Sequence, residues 1–126
     1  MRPSRTWQQR LQDIIASAEF ILGMMRGRGE EALAADRSLR DAVLYNFVVI
    51  GEAARSVPKE VETRHSVVPW KDMRDMRNWV AHGYHGVDLE IVARTIREDL
   101  PDLIENLTRI LTIDSGGEAG LANARE

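Results

Sequence analysis

Between Asp36 and Val57 the apolar residues fall on two sides of one helical repeat, and this constrains the fold more than any other stretch. At roughly 100° per residue, Leu39, Val43, Phe47, Ile50, Ala54 and Val57 share one face. Leu44 and Val48 point the opposite way and Val49 sits to the side. A helix apolar on two sides needs cover on two sides. In a chain of 126 residues, one of those sides is open to a partner chain. Pro58 ends the helix, because its ring cannot continue the hydrogen-bond ladder.

Helical spacing recurs along the rest of the chain. Trp7, Leu11, Ile14, Ala18, Ile21 and Met25 stand three and four residues apart and predict an amphipathic helix that stops at Gly27 and Gly29. A short helical piece is expected over Lys59–Arg64. Pro69 opens a further helix in its first turn, where a missing N–H costs nothing, with Trp70, Met73, Met76 and Val80 on the buried side and an end near His82. Asp88 is a suitable N-cap for a last helix carrying Leu89, Val92, Ile96, Leu100, Leu103, Leu107 and Ile110, kinked where Pro101 interrupts the pattern. No strand pattern, repeat or linker interrupts this series. The expectation is therefore an all-α, up-and-down bundle of four long helices plus a short one, in a single domain over residues 1–113, with a flexible glycine-rich tail over 114–126.

Composition narrows the function classes. Without cysteine there is no disulfide framework, thiolate metal site or cysteine nucleophile, which fits a reducing cytoplasm. Neither a signal-peptide-like N-terminus nor a membrane-spanning apolar run is present, so a soluble cytoplasmic protein is expected. The net charge of −3 argues against a general nucleic-acid coat. Locally the balance reverses: from Arg64 to Arg97 there are six basic residues against four acids, and all three histidines lie there.

Within that segment, MRNWVAHGY concentrates the chemistry. Cleaving an RNA phosphodiester requires a base for the 2′-OH, an acid for the leaving oxygen and a cation on the developing phosphorane charge. Histidine titrates near neutrality, at ~6.5, and serves as acid or base. Arginine offers a fixed fork of donors for phosphate oxygens. His82 and Arg77 supply both types, but five residues on a straight helix place them roughly 140° apart. They converge only if the last turn distorts or a second copy of the chain completes the site. Otherwise Arg77 pairs with a neighbouring acid and His82 caps the helix. Asn78 is suited to orienting a ribose or holding a carbonyl, and equally to a plain helix surface. Tyr84 follows a glycine just beyond the helix end, where its hydroxyl is reachable and its ring is free to pack.

Two further features need weighing. His82, His85 and Asp88 have ligand types that suit a divalent ion, yet Gly83 and Gly86 leave them on a flexible loop and Asp88 is already a helix cap, so no metal site is expected. Glu52, in IGEAA, is flanked by small residues that let its helix approach another closely, where it can pair with an arginine; solvated salt bridging is the alternative.

RNWVAHGY resembles the R-N-x-x-A-H-x-Y signature of HepT-like toxins in the HEPN superfamily. RDAVLYNFVVIGEAARSVP, VPWKDMRDMRN and GVDLEIVARTIREDLPDL resemble the same family, in order, over most of residues 36–110. The resemblance implies a HEPN-like homodimer whose two active sites face one another. It implies metal-independent RNA endonuclease activity without a cofactor, with Arg77 and His82 catalytic and Asn78 supporting the geometry; Glu52, from its own small-residue setting, is expected among the supporting residues. It also implies the toxin role in a type VII-like toxin–antitoxin system. The antitoxin would be an MNT-type nucleotidyltransferase that transfers AMP to Tyr84, setting a bulky anion two residues from His82. The alternative is a non-catalytic nucleotide-binding or interaction subunit of a nucleotidyltransferase.

Overall fold

The computed structural model describes the backbone of residues 5–125 and the side chains of residues 5–114. Among the described residues seven α-helices run in the order α1 (Trp7–Met24), α2 (Glu30–Ala35), α3 (Arg37–Arg55), α4 (Lys59–Arg64), α5 (Trp70–Gly83), α6 (Leu89–Glu98) and α7 (Leu100–Arg125), with a 3-10 turn at Tyr84–Gly86 between α5 and α6. No strand occurs among the described residues, so the chain is all-α.

The helix starts follow from local side chains. Thr6 accepts from the Gln9 N–H while the Gln9 side chain accepts from the Thr6 N–H, a reciprocal capping box that opens α1. Gly27 turns the chain out of α1 at φ +71°, the left-handed region that glycine occupies without a steric penalty. Asp36 caps α3 by accepting from the Leu39 N–H at 3.1 Å. Asp88 caps α6 in the same way.

Central in the bundle is α3, packed against α1 on one flank and α5 on another. Leu44 is fully buried within the one chain, as are Val43 and Ala54. The stripe from Leu39 to Val57 and Leu44 opposite it are thus covered from within, while Val48 and Val49 stay half-buried. Leu11, Ile14, Ile21, Leu33, Val80, Val92 and Leu107 complete a continuous apolar core.

Three details depart from the sequence expectation. First, α2 is an additional helix, anchored by fully buried Leu33 and closed by Arg40 Nη1, which donates to the carbonyls of Leu33 and Ala34 at 2.9 and 3.1 Å. Second, the last stripe is two helices rather than one kinked helix. The break falls at Asp99, and Pro101 sits in the first turn of α7, where proline removes no hydrogen bond. Third, α7 carries helical backbone to Arg125 through the segment expected as a tail, whose side chains from 115 onward lie outside the described residues.

Candidate active site

The site is built where α3 and α5 touch. A Cβ on Gly51 would stand 2.1 Å from Arg77 Cβ and 2.8 Å from the Met73 carbonyl oxygen, so only glycine permits this approach. The next residue, Glu52, then reaches across the contact: its Oε1 lies 2.7 Å from Arg77 Nε. The separation suits a hydrogen bond, yet the Nε–H is not aimed at the oxygen, and the buried Nε has no hydrogen-bond partner. The pairing is therefore one of opposite charges. Arg55 Nη1 stands 4.0 Å from the same carboxylate oxygen.

On its other side the Arg77 guanidinium donates from Nη1 to Asn78 Oδ1 at 3.1 Å. Arginine is thus steadied by Glu52 and Asn78 while keeping donors without a hydrogen bond among the described residues, an arrangement able to receive a phosphate oxygen.

His82 is exposed in the last turn of α5 and makes no side-chain hydrogen bond among the described residues. Since α5 stays helical through both positions, Arg77 and His82 point roughly 140° apart and about 7.5 Å apart along the axis. The last turn does not distort to bring them together. Arg77 faces α3, whereas His82 faces solvent.

Tyr84 closes the segment. It is half-buried in the 3-10 turn and donates from its hydroxyl to Asp41 Oδ1 at 2.9 Å, tying the end of α5 to the first half of α3. The other Asp41 oxygen faces Arg37 Nε at 3.4 Å. Burial, then the hydrogen bond and negative charge of Asp41, push the Tyr84 hydroxyl above the usual tyrosine pKa; Arg37 and Arg40 oppose the shift. The Tyr84 and His85 rings meet edge to face with centroids 5.4 Å apart.

Asp41 is the residue that the sequence did not single out. Eleven positions before Glu52, it lies only roughly 20° away around α3, so one stripe of that helix carries both carboxylates. Arg77 and Tyr84 are likewise about 20° apart by helical count. Two acid contacts, Glu52 on Arg77 and Asp41 on Tyr84, therefore clasp one side of the signature segment and leave His82 on another.

Elsewhere, a cleft of about 310 Å³ opens between α3, α5, α6 and α7 over Phe47, Ile50, Met73, Met76 and Leu103, and no signature residue from Arg77 to Tyr84 lines it. Among the described residues no three His, Asp or Glu side chains gather closely enough to hold a metal ion, and His82, His85 and Asp88 are not such a group. No helix among them is long and apolar enough to cross a membrane.

Residues 14–110 match the family described as Ribonuclease HepT-like. A protein of Caldanaerobacter subterraneus subsp. tengcongensis, named as a candidate RNase, is 35% identical over 101 residues, which is 80% of this chain and 90% of that one. A Thermococcus cleftensis protein, named as a candidate ribonuclease HepT, is 32% identical over 99 residues, 79% of this chain and 90% of that one. In Methanocaldococcus jannaschii, a protein whose name joins gamma-glutamylcyclotransferase to a candidate RNase is 31% identical over 101 residues, 80% of this chain and 46% of that one. No solved structure gives a significant match.

Proposed function

The chain belongs to the HepT-like ribonuclease family, and on that premise we propose that it is a cytoplasmic, metal-independent RNA endonuclease, the toxin of a toxin–antitoxin pair. The observation that carries this reading is Arg77, fixed between Glu52 and Asn78 with donors to spare, on the same helix as an exposed histidine. Arg77 binds the scissile phosphate and neutralises charge that builds on its oxygens. His82 carries protons, from the 2′-OH or to the leaving 5′-oxygen.

A second copy of the chain completes the site. Within one chain Arg77 and His82 diverge, so a cleft between two copies is the arrangement in which both reach one phosphate. The α3 surface beside Glu52 supports this. Tyr45, seven residues earlier on the same side of the helix, is 65% exposed, and Val48 and Val49 are half-buried. An exposed apolar strip beside incomplete catalytic machinery fits a homodimer interface.

The antitoxin is an MNT-type nucleotidyltransferase that transfers AMP to Tyr84. The product places an anion two residues beyond His82, where it repels RNA phosphates.

Purified chain incubated with cellular RNA in excess chelator tests the ribonuclease reading. Cleavage that persists, and disappears in Arg77→Ala and His82→Ala chains, is the expected result. Loss of activity on chelation, restored by a divalent ion, would overturn the metal-independent mechanism. One observation favours the second reading, a non-catalytic nucleotide-binding or interaction subunit: the divergence of Arg77 and His82 within one chain. In that case RNA stays intact under every condition while nucleotide binding depends on Arg77.

A further inference from the structure

We propose that Asp41 is the proton acceptor that prepares Tyr84 for modification: it fixes the phenol in place and takes its proton as the oxygen attacks the α-phosphorus of a nucleoside triphosphate. The proposal rests on the reading of Tyr84 as the AMP acceptor and adds to it a residue on another helix.

The geometry has three parts. The Tyr84 hydroxyl donates to Asp41 Oδ1 at 2.9 Å, so the acceptor already stands within hydrogen-bond reach of the proton. Arg37 faces the second oxygen, Oδ2, which leaves Oδ1 for the tyrosine. The Asp41 side chain is 41% exposed and Tyr84 only half-buried, so a nucleotide can approach the phenol oxygen from solvent.

Chemistry supplies the need. A phenol whose ionisation is pushed upward remains protonated at neutral pH, so its nucleophilicity has to come from a base that removes the proton during attack. Asp41 is the carboxylate in contact with it. In the step, the bond from Tyr84 Oη to the α-phosphorus forms as the bond from that phosphorus to the bridging oxygen breaks. Pyrophosphate leaves with the electron pair, and the phenol proton passes to Asp41 Oδ1. The triphosphate is bound and presented by the nucleotidyltransferase. The aryl phosphodiester has no proton to donate and carries a negative charge beside Asp41, so the modified ring cannot keep its place against α3.

Asparagine at position 41 separates positioning from proton transfer, because its amide oxygen still accepts the tyrosine hydrogen bond but is not a base. The chain would be incubated with the nucleotidyltransferase, ATP and Mg²⁺, and AMP addition followed by intact mass and peptide mapping. Wild type should gain AMP on Tyr84. Asp41→Asn should fold and cleave RNA as wild type does, while its initial rate of AMP addition falls at least about 100-fold, the usual contribution of a general base. Asp41→Glu should recover part of that rate. Modification of Asp41→Asn at the wild-type rate, with wild type modified, overturns the role of Asp41 alone. Absence of AMP from wild-type Tyr84 with a transferase active on itself or another acceptor overturns the acceptor reading, and the role of Asp41 with it.

Discussion

Glu52 and Arg77 stand 2.7 Å apart across the α3–α5 contact because Gly51 lets the two backbones close on one another. A single missing side chain thus sets the position of the arginine proposed to meet phosphate. The pair joins structure to chemistry, and it is the first place to perturb.

Gly51→Ala should destabilise the fold by about 1–3 kcal/mol, the usual cost of overpacking. The new methyl would meet the Met73 carbonyl oxygen, which belongs to helical backbone and cannot rotate aside. Urea unfolding measures the loss, and RNA cleavage should fall with it. Wild-type stability in this variant would mean that α3 and α5 can part locally without cost.

Removing only the charge is gentler. Glu52 is 46% exposed, so Glu52→Gln should change stability by less than about 1 kcal/mol. Cleavage should nonetheless drop roughly tenfold, because Arg77 loses the group that aims it. Single-turnover rates at matched stability decide the matter; unchanged rates would leave Glu52 a bystander.

His82→Ala should abolish cell toxicity and RNA cleavage, a loss of about 100-fold or more for an acid–base residue, while sedimentation shows the proposed dimer unchanged from wild type. An exposed residue without a hydrogen bond among the described residues gives the fold little to lose. Normal cleavage by this variant would remove histidine from the mechanism.

Tyr84→Phe should stay toxic beside an active antitoxin, because no hydroxyl remains to accept AMP. The same change deletes the hydrogen bond to Asp41 and should cost about 1 kcal/mol of stability. Protection of cells by the antitoxin despite the substitution would show that modification is not how the toxin is silenced.

The pH dependence of stability gives an independent check on that bond. Folding raises the Tyr84 pKa above the ordinary value of 10.0, so the folded state holds its proton more tightly than the unfolded chain. The stabilisation is fully present below pH 10 and is lost as pH rises through the folded-state value. Unfolding free energies of wild type and Tyr84→Phe should therefore run parallel from pH 7 to 9, with wild type losing ground above about pH 10. Parallel curves throughout would mean the phenol titrates normally.

Much of this was legible in the chain. The three-and-four spacing from Leu89 to Ile110, the end of α5 near His82 and the cap at Asp88 are local signals with local causes. The helix break was legible only in part, because Pro101 marks a boundary without saying on which side it falls. Helix α2 spans six residues, too short to display a period, and is held by one buried leucine. Asp41 was hidden for another reason: 43 positions separate it from Tyr84, and nothing local distinguishes it from any solvated acid. Glu52 was foreseen because the small residues around it announce a close helix contact. Helical counting on its own exposes the divergence of Arg77 and His82, and the pairing of two active sites is the proposal built on it.

The placement of α3 between α1 and α5 reaches further than stability. Both acid contacts to the signature segment hang from this one beam, whose opposite flank rests on the N-terminal helix. Substitutions in the α1 seam, remote from any phosphate, can therefore tilt Glu52 and Asp41 together. They would retune the proposed cleavage and the proposed modification of Tyr84 in one stroke while leaving every signature residue untouched.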